Sequence, residues 1–94
     1  MSLRVGPHAF GNVVYDAPSD VVYATVAGAR STRREPTPEG HFWLFDERGK
    51  LQGLTLMEPR ERLERDGAVS VTLPSGERER VTGLESALAS ERDR

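Results

Sequence analysis

Four side chains of this sequence are best suited to acid–base or metal chemistry, and they are Asp16, Asp20, Asp46 and His41. Asp16 and Asp20 stand four residues apart across a polar turn, so their carboxylates can converge on a cation or on a substrate proton. An EF-hand loop beginning at Asp16 needs glycine at position 21 and glutamate at position 27, and the sequence has valine and alanine there. Aspartate strongly favours turns, so we favour the alternative that both carboxylates close their own turn.

The chain has few side chains that commonly bind a transition metal. Its two histidines, His8 and His41, are far apart in the sequence, and it contains no cysteine. Zinc sites use sets of histidine and cysteine that are missing here, so we expect no metal and no cofactor. The lack of cysteine also excludes a disulfide framework and a thiolate nucleophile. His41 is the better candidate base, provided that the fold brings one of the aspartates to it.

The common catalytic signatures are absent. There is no Gly-x-Ser-x-Gly elbow and no Gly-x-Gly-x-x-Gly fingerprint, and Gly49-Lys50 is followed by leucine where a P-loop needs serine or threonine. The chain has 13 basic and 15 acidic side chains and a net charge of −2, which disfavours nucleic-acid binding. No window approaches the ~20 apolar residues of a membrane helix. We therefore expect no membrane association and a cytoplasmic location.

Arg30, Arg33 and Arg34 form a local basic cluster in the stretch 28–40. Two prolines, two bounding glycines and the lack of a hydrophobic period predict that this stretch is a long loop. Long loops within compact domains are often functional, and arginine can clamp the carboxylates of a partner. We therefore expect a partner-binding surface at these arginines.

Trp43 is a second candidate for partner binding. Strand alternation places it on one face with His41 and Phe45. An exposed stripe of this kind suits a partner interface, because aromatic anchors dominate binding energy. The alternative is that the stripe is buried in the core, and the sequence leaves this choice open.

Two consecutive β-hairpins dominate the first part of the chain. Residues 12–15 and 21–26 are rich in β-branched and aromatic side chains, which favours strands joined by the turn between them. Both faces of the segment 21–26 carry apolar groups, so we expect a central strand. Residues 41–45 and 51–58 form the second hairpin, and Gly49 suits its turn because glycine readily adopts a positive φ.

The remaining segments complete an α+β prediction for one domain, residues 1–94. We expect a weak strand near residues 3–5, a short helix over 59–65 after the second hairpin, and a C-terminal hairpin and helix within 68–92. The charged segment 77–82 is predicted to be an edge strand. The result is a mainly antiparallel, twisted sheet of about five or six strands with two helices.

The order of turn residues resembles a small bacterial family called domain of unknown function 2283. The resemblance covers roughly residues 10–73, and the matching positions are Tyr15, Asp16, Asp20, Tyr23, Asp46, Gly49, Leu51, Gly53, Leu54 and Leu56. Many members carry glutamate where this chain has Thr55, so a carboxylate of the family is missing here. The resemblance implies a small soluble bacterial protein without an established activity. Some members look like the antitoxin half of toxin–antitoxin pairs.

Two functions of different classes follow from these observations. The first is a non-enzymatic protein-interaction module that binds a protein partner. The family resemblance implies that this module is antitoxin-like. The second is a small-molecule-binding or hydrolytic domain with His41 and the aspartates around a dimer cleft. We expect a homodimer in either case, because a chain this short gains from burying an apolar face against a second copy.

Overall fold

The computed structural model describes residues 2–91, and within them the chain forms an α+β fold with two antiparallel sheets and two helices. The strands are β1 Leu3–Val5, β2 His8–Phe10, β3 Asn12–Asp16, β4 Val21–Thr25, β5 Arg33–Pro36, β6 Phe42–Phe45, β7 Leu51–Met57, β8 Ser70–Thr72 and β9 Arg78–Thr82. The helices are α1 Pro59–Asp66 and α2 Leu84–Glu91. The predicted α+β class is confirmed.

The larger sheet contains both predicted hairpins in the strand order β3-β4-β7-β6-β5. The β3–β4 hairpin pairs Tyr15 with Val22, and β4 pairs with β7, so that Ala24 lies opposite Leu54. Strand β4 is therefore central, as its two apolar faces predict. The β6–β7 hairpin closes at Gly49, whose φ of 83° requires the conformational freedom of glycine.

The smaller sheet has the order β2-β1-β9-β8 and joins the two ends of the chain. Strand β1 pairs with β2 on one side and with β9 on the other, where Val5 lies opposite Val81. Strand β8 alternates as the sequence predicts, because Val69, Val71 and Leu73 are all buried.

The two sheets share one hydrophobic core. Leu3, Val5 and Val71 from the smaller sheet belong to the same buried cluster as Val22 and Leu54 from the larger one. A polar contact also joins the sheets, because the indole N–H of Trp43 donates to the carbonyl oxygen of Thr72 at 2.8 Å. Each sheet therefore has one face turned toward this core.

The two helices lie at the positions that the sequence predicts, to within a residue or two at their ends. Helix α1 begins with Pro59 at its first position and ends at Gly67, which has a φ of 79° and donates its N–H to Leu63. In α2, Leu84 and Leu88 face the core. The last residue of the predicted segment 68–92 lies outside the described residues.

Three predictions about the strands are wrong. The single sheet of five or six strands is two sheets with nine strands among the described residues, because short β2 and β5 carry no strand pattern. The predicted loop 28–40 contains β5, which pairs with β6 along its whole length. Strand β9 is not an edge strand, because it lies between β1 and β8. Strand β1 pairs with Val81 and Thr82 only, so the charged residues 78–80 pair with β8 alone and stay exposed.

Gly53 is needed where β4, β7 and β6 pack side by side. A Cβ atom at this position would lie 2.5 Å from the carbonyl oxygen of Ala24 and 3.3 Å from a methyl group of Leu44. Real Cβ atoms do not approach a backbone oxygen this closely, so any larger residue must push β4 and β7 apart. The glycine of the motif is therefore explained by strand packing.

We expect the substitution Gly53→Ala to lower the free energy of unfolding by about 2–3 kcal/mol, because the new methyl group overpacks the sheet. Urea denaturation followed by circular dichroism measures the change. Gly11→Ala is the matched control, since a Cβ there meets nothing within 4 Å. Equal stability of the two variants would contradict this account of Gly53.

Candidate interaction surface

Asp20 caps a helix from a distant turn instead of forming part of a catalytic site. Its Oδ1 accepts the backbone N–H of Arg60 at 3.1 Å, and its Oδ2 accepts that of Glu61 at 3.2 Å. Both donors belong to the first turn of α1, whose own N-cap residue, Glu58, provides no side-chain cap. Asp20 adopts a φ of 54° to reach them, and its carbonyl oxygen also accepts the N–H of Glu58 at 2.8 Å. A carboxylate is favourable at a helix N-terminus.

Tyr15 extends this contact into a network. Its hydroxyl donates to Oδ1 of Asp20 at 3.0 Å and accepts Nε–H of Arg60 at 3.1 Å. Arg60 also donates to the carbonyl oxygen of Leu88 at 3.4 Å, which ties α1 to α2. Burial raises the pKa of Tyr15, although the hydrogen bond from Arg60 opposes this shift. The network joins the first hairpin to both helices.

Asp16 and Asp46 close their own turns. The Asp16 carboxylate accepts a hydrogen bond from the hydroxyl of Ser19. Oδ1 of Asp46 accepts the backbone N–H groups of Arg48 at 2.9 Å and Lys50 at 2.8 Å. These contacts are the turn roles that aspartate commonly takes.

His41 is completely buried and packs at the start of β6. Its ring Nδ1 accepts the backbone N–H of Met57 at 3.0 Å, and its backbone N–H donates to Oγ1 of Thr37 at 3.1 Å. Burial, reinforced by the positive charge of Arg62, lowers the pKa of His41 to about 4. The ring is therefore neutral near pH 7. Its Nε2 is the one buried side-chain nitrogen or oxygen in residues 2–91 with no hydrogen-bond partner.

Glu39 is a partly buried carboxylate that the sequence did not single out. It accepts the backbone N–H of Thr72 at 3.0 Å and the hydroxyl of Thr72 at 2.7 Å, and Arg78 lies 3.5 Å away. Burial alone would raise the pKa of Glu39, but the hydrogen bonds from Thr72 outweigh it and lower this pKa to about 2. Glu39 therefore connects the turn before β6 to the smaller sheet.

The structure does not assemble the four candidates for chemistry into one site. Asp20 and His41 contact neighbouring residues at the end of β7, Glu58 and Met57. Asp46 lies beyond the other end of β7, roughly 20 Å away along seven residues of strand. No group of three or more metal-ligating side chains occurs in the described part of the chain.

The three candidate arginines are spread along one edge of the larger sheet. Arg33 and Arg34 belong to β5, where their guanidinium groups lie over the rings of Phe45 and Phe42 at 5.1 and 4.7 Å. Arg33 also pairs with Glu35 at 3.1 Å, and both side chains are about half exposed. Arg30 lines an open depression of about 340 Å³ beside the turn of the second hairpin. Arg33 and Arg34 thus belong to a strand at the sheet edge, whereas Arg30 lies in the loop before it, as predicted.

Trp43 belongs to the core and does not form an exposed aromatic stripe. Its side chain is 3% exposed, and its ring contacts those of His8 and Phe10 with centroids 5.6 and 6.4 Å apart. With His41 and Phe45 also buried, the core alternative holds for this face. Of the two alternatives that the sequence left open for Trp43, the accessible aromatic stripe does not apply to the chain by itself.

The opposite face of the larger sheet is the surface that the structure leaves uncovered. We call it the outer face, and its central row runs across all five strands in the order Val14, Tyr23, Thr55, Phe42 and Pro36. Each of these residues lies directly opposite the next one on the neighbouring strand. Val14 is 60% exposed and Tyr23 is 46% exposed, and they are the large hydrophobic residues that stand out as exposed among the described ones.

Partly buried apolar side chains surround this row. Leu44 lies beside Gly53 in the neighbouring row, and Met57 lies opposite Val21 on the other side. Both helices pack toward the core, because Leu63 and Leu84 contact the buried cluster. The outer face is therefore a broad apolar and aromatic surface that neither of the two described helices covers. Such a surface is typical of an interaction site.

Sequence reasoning missed most of this surface. The alternation of β4 places Val21, Tyr23 and Thr25 on one face, but a strand that is apolar on both faces also fits complete burial. The residue that could have indicated this surface is Val14, which lies opposite Tyr23. This pairing depends on the β3–β4 register, which was not specified from the sequence.

No family model, no curated protein and no solved structure matches the chain. Among residues 2–91, no helix is both long enough and apolar enough to cross a membrane.

We expect Asp20→Ala to destabilise the protein by about 2–3 kcal/mol, because it removes an ionised acceptor from two backbone N–H groups and from Tyr15. Asp16→Ala is the matched control in the same turn, and it should cost less than about 1 kcal/mol since it removes one exposed contact. Thermal denaturation of both variants measures the difference. A result in which the two variants lose the same stability would contradict the capping role of Asp20.

The buried His41 should make folding sensitive to mild acid. The unfolded chain takes up a proton below pH 6.5, whereas the folded chain resists it until about pH 4. Stability is therefore fully present above pH 6.5 and is lost as the pH falls toward 4, by roughly 3 kcal/mol in total. Glu39 adds a further loss between pH 4.5 and about 2. Urea denaturation at a series of pH values measures both.

His41→Asn is the informative variant for this pH dependence. Asparagine offers an oxygen near the position of Nδ1 for the N–H of Met57, but it does not titrate. The variant should show a much flatter stability profile than the wild type between about pH 6.5 and 4. An unchanged slope in His41→Asn would show that another group is responsible.

Proposed function

We propose that the chain is a non-enzymatic protein-interaction module that binds its partner through the outer face. The observation that carries this proposal is the apolar row across all five strands, with Val14 and Tyr23 exposed. Tyrosine supplies a large apolar ring with a polar end, which suits a surface that is exposed to solvent in the free protein and buried in a complex. The partly buried Phe42 and Leu44 extend the same surface, so that a partner meets a continuous patch.

The structural roles of the polar candidates support an interaction module over a hydrolytic domain. Asp16, Asp20 and Asp46 have their carboxylates engaged by turn or helix donors. His41 is buried away from solvent, and its depressed pKa suits a packed neutral ring. A general base must reach a substrate proton, and none of these groups is placed at an open site with a second one.

The charge distribution favours a protein partner over nucleic acid. Arg34 lies at one edge of the outer face, whereas Arg33 lies over Phe45 on the other face of the sheet and pairs with Glu35, and the chain has a net charge of −2. Binding to a phosphate backbone calls for a broad basic face, which this arrangement lacks. An antitoxin-like role in the cytoplasm is compatible with this proposal and rests on the family resemblance alone.

Site-specific photo-crosslinking tests the proposal without knowledge of the partner. A benzophenone amino acid replaces Tyr23 in one variant and the exposed Arg80 of the smaller sheet in the other. Irradiation in an extract of the source organism should give one discrete crosslinked protein from position 23, because the probe occupies the centre of the outer face.

Position 80 is the matched control, since it is exposed on another sheet. The proposal is contradicted when position 23 gives no discrete product, or gives only the same diffuse products as position 80. The mass of the product identifies whether the captured chain is a copy of this one or a different protein.

A further inference from the structure

We propose that the occupant of the outer face is a second copy of this chain, packed face to face about a two-fold axis along β7. This inference rests on the proposed function, because it names the partner of the same surface. The two sheets would form a sandwich in which the core of each copy lies on the far side of its own sheet.

The order of side chains along the central row supports a self-complementary contact. From β3 to β5 the row reads aliphatic, aromatic, threonine, aromatic and proline, with Thr55 in the middle strand. A two-fold axis along β7 exchanges the two halves of the row. Tyr23 of one copy then faces Phe42 of the other, and Val14 faces Pro36. Isologous dimers require this kind of match between a patch and itself.

The two edges of the outer face meet without a like-charge contact under the same axis. Strand β5 carries Arg34, whose guanidinium lies over Phe42 and whose side chain is exposed. Strand β3 carries Asn12 on this face, in the same row as Arg34, because the pairing runs through Thr25, Gly53 and Leu44. The axis places the β5 edge of one copy over the β3 edge of the other, so the cation meets the polar amide of Asn12.

The size of the face suits a reversible dimer. Five strands about 4.8 Å apart make it about 24 Å wide, and its outward rows span about 20 Å. Two copies then bury roughly 900 Å² before the side chains at the rim are counted. Specific interfaces below about 1,200 Å² belong to the weak and reversible class.

Pairing through the sheet edges is the less favourable way to join two copies. Strand β5 ends in Pro36, which has no N–H to donate to a further strand and is typical of protected edges. At the other edge, α2 packs against β3. The face, and not the edge, is therefore the surface that a second copy can cover.

Sedimentation velocity over a concentration series tests the dimer. The weight-average mass of the wild type should rise from 10.4 kDa toward twice that value. Tyr23→Lys should raise the dissociation constant at least ~10-fold, because it removes an aromatic anchor from the contact and introduces an ammonium group that loses its hydration in an apolar interface. Ser75→Lys adds the same charge at the exposed β8–β9 turn and should leave the constant unchanged. Circular dichroism confirms that each variant is folded.

A single cysteine tests the position of the axis, since the chain has none of its own. Thr55→Cys places one thiol on β7 of each copy, and the proposed two-fold axis brings these two thiols close together. A short bismaleimide should therefore link the copies efficiently. Ser75→Cys should not be linked under the same conditions.

A wild type that stays monomeric at high micromolar concentration overturns the inference. So does a dimer that Thr55→Cys fails to link. When the chain is monomeric but photo-crosslinking at position 23 captures a different protein, the inference that a second copy covers the outer face is wrong and the proposed function stands. When neither a dimer nor a captured protein is found, both are wrong.

Discussion

The carboxylate of Asp20 is the contact that holds the two helices to the larger sheet. Helix α1 starts directly after β7 without a side-chain cap of its own, and Asp20 supplies the missing acceptor from the first hairpin. Through Tyr15 and Arg60 the same contact reaches the carbonyl oxygen of Leu88 in α2. Because both helices are thereby drawn to the core side of the sheet, neither of them covers the outer face in the described part of the chain. An ionised group that resembles a catalytic acid in the sequence thus determines which surface is available for binding.

The polar residues at the ends of β6 and β7 serve a related structural purpose. Glu39 and His41 join the turn before β6 to β8 and to the end of β7 through hydrogen bonds to Thr72 and Met57. Their pKa values are shifted in the direction that keeps Glu39 charged and His41 neutral. Perturbed pKa values often mark active sites, but structural networks produce them as well. Here Glu39 connects the two sheets and His41 connects the turn before β6 to β7, and the shifts make the fold sensitive to acid.

Local signals allowed much of the fold to be predicted, but the pairing between distant strands escaped them. Both hairpins, α1 and the strand at Val71 follow from alternation, turn residues and a proline at the helix start. Strand β5 has no apolar pattern, and β9 is internal only because β1 returns from the other end of the chain. For the site, the turn role of Asp16 was predicted, whereas the prediction that the carboxylate of Asp20 closes its own turn is wrong, because it caps α1 from about forty residues away. The outer face was not predicted, since the exposure of Tyr23 depends on where the helices pack.

A dilution series followed by two-dimensional NMR of the amide groups tests directly whether a second copy covers the outer face, because it reports on every strand at once. Resonances of the outer face, those of Tyr23, Thr55 and Phe42 above all, should shift as the protein is diluted from millimolar to low micromolar concentration. Amides of the smaller sheet, such as that of Arg80, should not move. Resonances of the outer face that stay constant over this whole range would contradict the claim that a second copy covers it.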